Sequence, residues 1–133
     1  MQKIFTYTVI IKEHHLDFFG HVNNAAYLSL FEEARWELVT SNGYGIEKIQ
    51  EFGLGPTILN VTLSFLREIR LREEIKIETR LISYEKKIFK ISQVMKRRND
   101  ICCTSEFTMA LFNMKARKLV APTPEWLSAI GYE

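Results

Sequence analysis

A single helical stripe followed by four consecutive strand patterns is the feature that most constrains this fold. The stripe consists of Tyr27, Phe31, Ala34 and Leu38, spaced four, three and four residues apart. This spacing places all four side chains on one face of a helix. Asn23 or Asn24 can cap its start, and Asn42-Gly43 can end it. The predicted helix therefore has about 18 residues and a length of about 27 Å.

Strand patterns precede and follow this helix. Residues 3–12 alternate apolar and polar side chains, and 14–22 form a loop. A short helix over Ile46–Phe52 ends at Gly53, Gly55 and Pro56, and another short helix follows Pro122 and Pro124. The later strand-like runs span about 57–67, 74–84, 87–97 and 101–114.

The short connections between the last four strands predict an antiparallel meander. Five strands about 4.8 Å apart make a sheet roughly 24 Å wide, which matches one helix lying across it. The predicted architecture is α+β, with a five-stranded antiparallel sheet wrapped around one long central helix.

Length and composition exclude several classes of protein. The 133 residues suit one domain over 1–133, and a net charge of +2 gives no basis for a nucleic-acid partner. The chain has neither a signal-peptide pattern at its start nor an apolar run near the roughly 18 residues of a membrane span, so no membrane partner is expected. Cys102 and Cys103 are adjacent and should point to opposite faces of a strand, so we expect reduced thiols and a cytoplasmic protein.

An acid stands in the loop before the long helix. Asp17 lies six residues ahead of the expected cap Asn23, too far for direct capping. One interpretation is that it only favours the positive end of the helix. The alternative is catalytic, because a loop carboxylate beside a helix start can activate water or attack a carbonyl carbon.

The segment Gly20–Asn24 predicts a turn and a helix cap, and it also suits a second role. The first amides of a helix lack internal partners and can bind a developing oxyanion. A metal site made by His14, His15, Asp17 and His21 is the competing interpretation. Because these residues lack a fixed ligand spacing, we expect no metal. For His21 we expect hydrogen bonds that shape the loop, with a direct catalytic role as the alternative.

Other hydrolytic motifs do not occur in the sequence. The nucleophile elbow G-x-S-x-G is absent, and Gly43-Tyr44-Gly45 does not form a phosphate-binding loop. Cys102 and Cys103 have no basic neighbours in sequence, so they are interpreted as structural thiols.

One set of residues carries a family resemblance. It comprises Leu16-Asp17, Gly20-His21-Val22-Asn23-Asn24, Tyr27, Glu32-Glu33-Ala34-Arg35-Trp36, Asn60 and Ser92-Gln93. In this order they resemble the hotdog-fold acyl-CoA thioesterases of the 4-hydroxybenzoyl-CoA thioesterase-like group. The long-chain acyl-CoA thioesterase branch is the most similar. The resemblance covers almost the whole chain and is most specific from Asp17 to Arg35.

The resemblance implies a hotdog fold and assigns roles to residues. Asp17 would be the catalytic general base or nucleophile, and the amide of about Asn24 would bind the oxyanion. The implied oxyanion- and substrate-binding residues are Gly20, His21, Val22, Asn23, Asn24, Tyr27 and Asn60. For Asn60, a satisfied core amide is the alternative. The resemblance also implies homodimers whose sheets join, and often homotetramers, with acyl-CoA as substrate and no cofactor.

Because of two departures from the family pattern, the resemblance does not predict which acyl group the substrate carries. Glu68 stands where relatives often have proline, and Ile88-Phe89 stands where they often have a small residue. Basic residues near strand ends suit CoA phosphates, and we favour Arg67, Lys86 and Lys87, with a solvated edge as the alternative. The predicted function is acyl-CoA hydrolysis. The alternatives are a non-catalytic acyl-CoA or acyl-carrier-protein binding module and an acyl-carrier-protein thioesterase.

Overall fold

The computed structural model describes residues 3–133, and most of its elements lie where the sequence predicts them. The helices are α1 (Asn24–Ser41), α2 (Ile46–Phe52) and α3 (Pro124–Ala129), with a 3-10 turn at Glu13–His15. The strands are β1 (Ile4–Ile10), β2 (Leu54–Phe65), β3 (Glu74–Glu85), β4 (Ile88–Arg97), β5 (Asp100–Asn113) and β6 (Lys118–Val120).

Helix α1 has the predicted limits and the predicted buried face. The side chain of Asn23 accepts a hydrogen bond from the Ala25 amide at 2.9 Å, and Gly43 follows the last turn with a φ of 87°. All four stripe residues are buried, and Phe31 and Ala34 are fully inaccessible. Burial of this face against the curved sheet fixes where the helix start lies.

The strand order is β1-β3-β4-β5-β2, so the predicted four-strand meander is wrong at β2. β3, β4 and β5 do form a meander, but β2 pairs with β5 at the opposite edge from β1. Three strand spacings, about 14 Å, separate β2 from β3. The connection over residues 66–73 is long enough to span that distance, so consecutive strands need not pair.

The start of β2 and the pairing at the end of β5 differ from the prediction. β2 begins at Leu54 rather than 57, and Gly55 and Pro56 lie inside it. An edge strand tolerates proline because only one of its sides is paired. β5 continues to Asn113, and its last three residues pair with β6, a short sixth strand that the sequence did not predict.

The adjacent cysteines both lie in the core. Cys102 has no partner in β4 because the register shifts there, and this β-bulge lets both thiols enter the same buried cluster. The expectation of opposite faces is therefore wrong, although both thiols are free. Burial raises the pKa of Cys102, and it raises the pKa of Cys103 to about 12.

A buried polar contact attaches α1 to the sheet. Arg35 Nη1 donates to Gln93 Oε1 at 2.8 Å, and Gln93 Nε2 donates to the Phe31 carbonyl at 3.0 Å and to Thr79 Oγ1 at 2.9 Å. Burial lowers the pKa of Arg35 to about 10, and its guanidinium stacks over Phe107 at 4.2 Å. These directional bonds fix the axial position of α1 relative to β3 and β4.

Candidate active site

The loop before α1 is folded back on itself by backbone hydrogen bonds. The Asp17 amide donates to the His21 carbonyl at 2.8 Å, and the Gly20 amide donates to the Asp17 carbonyl at 3.1 Å. Gly20 occupies the turn with a φ of 86°, which glycine adopts without strain. Bridges join Leu16 to Val22 and His21 to Arg70, so the loop is attached to the segment that follows β2.

Three chain segments meet around one open cleft of about 670 Å³, which we call the Asp17 cleft. The loop contributes Asp17, Phe18, His21 and Val22, and the helix start contributes Asn23, Asn24 and Tyr27. The end of β2 contributes Phe65, and the segment after β2 contributes Leu66, Arg67 and Glu68. Seven of the predicted site residues therefore lie together. They are Asp17, His21, Val22, Asn23, Asn24, Tyr27 and Arg67.

The carboxylate of Asp17 is held by its own loop. Its Oδ1 accepts hydrogen bonds from the amides of Phe19 at 2.9 Å and His21 at 3.3 Å. Asp17 is half-buried and lines the cleft. The arrangement fixes one carboxylate oxygen against the loop and leaves the second oxygen without a protein donor among residues 3–133.

Asn24, the first residue of α1, lines the same cleft, and its backbone amide is not used by residues 3–133. The amides of Ala25 and Ala26 are occupied, since they donate to Asn23 Oδ1 and to the Asn23 carbonyl. The Asn24 amide, by contrast, has no hydrogen-bond acceptor in the part of the chain that the structure describes. A free amide at a helix N-terminus carries partial positive charge and can bind a negative oxygen.

Charged side chains form the wall contributed by the segment after β2. His21 Nε2 lies 2.8 Å from Glu68 Oε2, and Arg70 Nη2 lies 2.5 Å from Glu68 Oε1. Arg67 lines the cleft and makes no ion pair with any residue from 3 to 133. Its guanidinium is therefore available to an anion.

Tyr27 and Phe65 form an apolar part of the cleft. Their rings meet edge to face at 5.0 Å, and Tyr27 is only 4% exposed. Burial raises the pKa of Tyr27 to about 12, so its hydroxyl stays neutral near pH 7. These rings can contact an acyl chain or the pantetheine arm of CoA.

Three predicted residues lie away from the cleft. Asn60 is exposed on β2, so the expectation of a core amide is wrong. The reason is a β-bulge at Leu59, which shifts the alternation of side chains along this edge strand. Lys86 and Lys87 are exposed in the β3–β4 turn. Pairing along β5 puts that turn about 23 Å from Phe65, too far to reach the cleft of the same protomer.

The histidines do not gather around a metal. Within residues 3–133, no group of three or more His, Cys, Asp or Glu side chains could hold a metal ion. His15 Nδ1 accepts a hydrogen bond from the Lys12 amide at 2.9 Å, and His14 is exposed in the 3-10 turn.

No helix in the described range is long and apolar enough to cross a membrane.

Four cleft residues were not predicted as site residues: Phe18, Phe65, Leu66 and Glu68. Glu68 was noticeable in sequence only as a departure from the family pattern. Its contact with His21 joins positions 47 residues apart, and no local pattern indicates such a contact.

Comparison with known proteins finds a family and distant relatives. The profile of the Thioesterase-like superfamily matches residues 11–130. Protein THEM6 of Xenopus laevis is 32% identical over 88 residues, which cover 66% of this chain and 42% of that protein. The chain thus spans less than half the length of THEM6. The long-chain acyl-CoA thioesterase FadM of Escherichia coli is 26% identical over 113 residues, 84% of this chain and 85% of FadM.

A structural comparison agrees on the fold. A hypothetical protein from Staphylococcus aureus, solved in complex with CoA, superposes with a TM-score of 0.90 at 18% identity, covering 99% of this chain and 85% of that one. Because the superfamily profile covers nearly the whole chain and the sheet wraps around α1 as it does in solved thioesterases, this chain belongs to the Thioesterase-like superfamily and has the hotdog fold.

Proposed function

We propose that this chain, as a single hotdog domain, hydrolyses an acyl-CoA to a free carboxylic acid and CoA. The observation that carries the proposal is the Asp17 carboxylate and the unused Asn24 amide on one cleft. Membership of the superfamily supports a thioester substrate. The name of FadM and the CoA complex of the S. aureus protein support acyl-CoA in particular.

In the proposed mechanism, the thioester carbonyl oxygen points at the Asn24 amide. Asp17 either takes a proton from an attacking water or attacks the carbonyl carbon to give an anhydride that water opens. Both routes build negative charge on the carbonyl oxygen, and one preorganised donor is typically worth about 3–4 kcal/mol. Asn23, Val22 and Gly20 act by shaping the helix start and the turn, and Tyr27 by lining the cleft.

The acyl chain is proposed to run along α1. A second cavity of about 80 Å³ lies between α1 and the sheet and is lined by Trp36, Ile58, Met109 and other residues. Trp36 lies twelve residues beyond Asn24, about 18 Å along the helix axis. A long acyl chain could extend from the cleft towards this cavity, whereas a short one would end near Tyr27.

A homodimer is also part of the proposal. β2 is a twelve-residue edge strand, and Ile58, Leu59 and Phe65 on it are each about half exposed. A long, exposed, apolar edge strand favours pairing with another strand. Antiparallel pairing of two β2 strands would bring Lys86 and Lys87 of one protomer towards the other's cleft, where they could join Arg67 in binding CoA phosphates. Light scattering distinguishes monomer, dimer and tetramer.

The reduced thiols support a cytoplasmic location as a further part of the proposal, since free cysteines are typical of reducing compartments. No cofactor is needed for the proposed chemistry.

The test is a thiol-release assay with short, long and aromatic acyl-CoAs and with matching acyl-carrier-protein thioesters. We expect turnover of acyl-CoA, and the panel identifies the acyl group. Turnover of carrier-protein thioesters alone would mean that the substrate is an acyl-carrier-protein thioester and not an acyl-CoA. Tight binding of acyl-CoA without thiol release would mean that the protein is a non-catalytic acyl-CoA binding module.

A further inference from the structure

Glu68 and His21 form a hydrogen-bonded pair on the wall of the Asp17 cleft. His21 Nε2 lies 2.8 Å from Glu68 Oε2, and the two side chains are 35% and 48% exposed. Both residues line the cleft together with Asp17 and Asn24. The pair is therefore within the site but is not used by the base and oxyanion roles proposed above.

The surrounding segment holds Glu68 in place as an anion. Arg70 Nη2 donates to Glu68 Oε1 at 2.5 Å, and Arg97 Nη1 donates to the Glu68 carbonyl at 3.0 Å. The hydrogen bond from Arg70 lowers the pKa of Glu68, and the charges of His21 and Arg97 lower it further. An ionised Glu68 can accept a hydrogen bond from Nε2 of His21 and so fix the orientation of the imidazole ring.

The proposed hydrolysis needs a proton donor as well as a base. When the carbon–sulfur bond breaks, the electron pair stays on sulfur, and the CoA thiolate must take up a proton. Asp17 and the Asn24 amide do not supply that proton during bond cleavage. With the carbonyl oxygen at the helix start and the water at Asp17, the wall that carries His21 and Glu68 is left for the sulfur atom.

We infer that His21, oriented by Glu68, is the general acid that protonates the leaving thiolate. This inference rests on the proposed thioesterase function. The imidazolium, whose Nε2 proton is held by Glu68, gives its Nδ1 proton to sulfur and becomes neutral imidazole. In the general-base route, the proton that Asp17 takes from water is released to solvent. A proton from solvent then restores the imidazolium, so protons and charges balance over one turnover.

Charged groups from every neighbouring segment bear on His21. Asp17 belongs to the same loop, Tyr27 belongs to α1, and the segment after β2 brings Glu68, Arg67 and Arg70. Asp17 and Glu68 contribute carboxylates and Arg67 and Arg70 contribute guanidinium groups, while burial raises the pKa of Tyr27 and keeps its hydroxyl neutral. Among the described residues, Glu68 is the only one of these groups that pairs with the imidazole ring, so its loss should affect the orientation of the ring most.

The experiment compares two thioesters that carry the same acyl chain. One is the acyl-CoA, and the other is an aryl thioester whose thiolate is a weaker base and leaves without a proton. His21→Gln should slow acyl-CoA hydrolysis about 10²-fold, the lower end of typical general-acid effects, and should slow the aryl thioester by less than about 3-fold. Circular dichroism and urea denaturation verify that the variant is folded.

Glu68→Gln provides a second and milder perturbation. Loss of the carboxylate removes the partner that orients the imidazole ring, so acyl-CoA kcat should fall several-fold while hydrolysis of the aryl thioester should be nearly unchanged. Glu106→Gln, on β5 and paired with Lys90, is the matched control and should leave the hydrolysis of both thioesters unchanged.

The outcomes separate this inference from the function on which it rests. If His21→Gln slows both thioesters equally, or if Glu68→Gln leaves acyl-CoA kcat unchanged, the acid role is wrong, although acyl-CoA hydrolysis by wild type still supports the thioesterase. If wild type hydrolyses neither thioester, the proposed function itself fails.

Discussion

Substitution of Asp17 gives the sharpest test of the proposed chemistry, because two variants separate its charge from its structural bonds. Asp17 Oδ1 accepts hydrogen bonds from the amides of Phe19 and His21 at 2.9 and 3.3 Å. Asp17→Asn keeps a carbonyl oxygen at the same place, so the turn should survive. The variant loses only the negative charge and the basicity of the carboxylate.

The expected magnitudes differ for the two variants. Asp17→Asn should lower kcat about 10²–10⁴-fold, the typical range for loss of a general base. Its free energy of unfolding should change by less than about 0.5 kcal/mol. Asp17→Ala should show a similar loss of kcat, but it also removes the oxygen that accepts both hydrogen bonds. At about 0.5–1.5 kcal/mol for each bond, it should lower the free energy of unfolding by about 1–3 kcal/mol.

The assay combines thiol release from acyl-CoA with urea denaturation of the same preparations. Glu47→Gln is the matched control, since Glu47 is an exposed acid on α2 that does not line the cleft, and it should leave kcat unchanged. A folded Asp17→Asn variant that retains more than about a tenth of wild-type kcat would refute the role of Asp17. Equal stability of the Asn and Ala variants would refute the structural reasoning.

Three further predictions concern the helix cap, the basic wall and the thiols. Asn23→Ala should lower the free energy of unfolding by about 0.5–2 kcal/mol. The loss should lie near the lower end of this range, because Asn24 Oδ1 also accepts a hydrogen bond from the Ala25 amide. Urea denaturation measures the change, with Asn99→Ala as the control, and an unchanged midpoint of unfolding would contradict the prediction. Arg67→Gln should raise KM for acyl-CoA several-fold with little change in kcat, and should weaken the salt dependence of KM. Lys118→Gln is its control, and an unchanged KM would mean that Arg67 does not bind CoA. Ellman's reagent at pH 8 should label both cysteines in denaturant but neither of them rapidly in the native protein. Burial raises the pKa of Cys102 and raises the pKa of Cys103 to about 12, so little of the reactive thiolate is present. Rapid labelling of the native protein would contradict this prediction.

Features encoded by neighbouring residues could be predicted from sequence. The limits of α1 follow from the cap at Asn23 and the glycine at Gly43, and its buried face follows from the period of the stripe. Much of the cleft was also predictable, because Asp17, His21 and Asn24 lie within eight residues of one another. Local hydrogen bonds and the helix start bring such residues together whatever the rest of the chain does.

Features that depend on which distant segments pair could not be predicted in this way. The position of β2 beside β5 and the bulge that exposes Asn60 are set by pairing across the sheet. The contact of Glu68 with His21 requires the segment after β2 to return to the loop before α1.

The sequence by itself determined the elements, the helix cap and the placement of an acid just before the helix start, because periodicity and capping act over a few residues. Only the tertiary structure decided which strand lies at the sheet edge, which charges complete the cleft and which lysines lie far from it. Those outcomes depend on contacts between residues far apart in the chain, and the same local pattern is compatible with several strand orders.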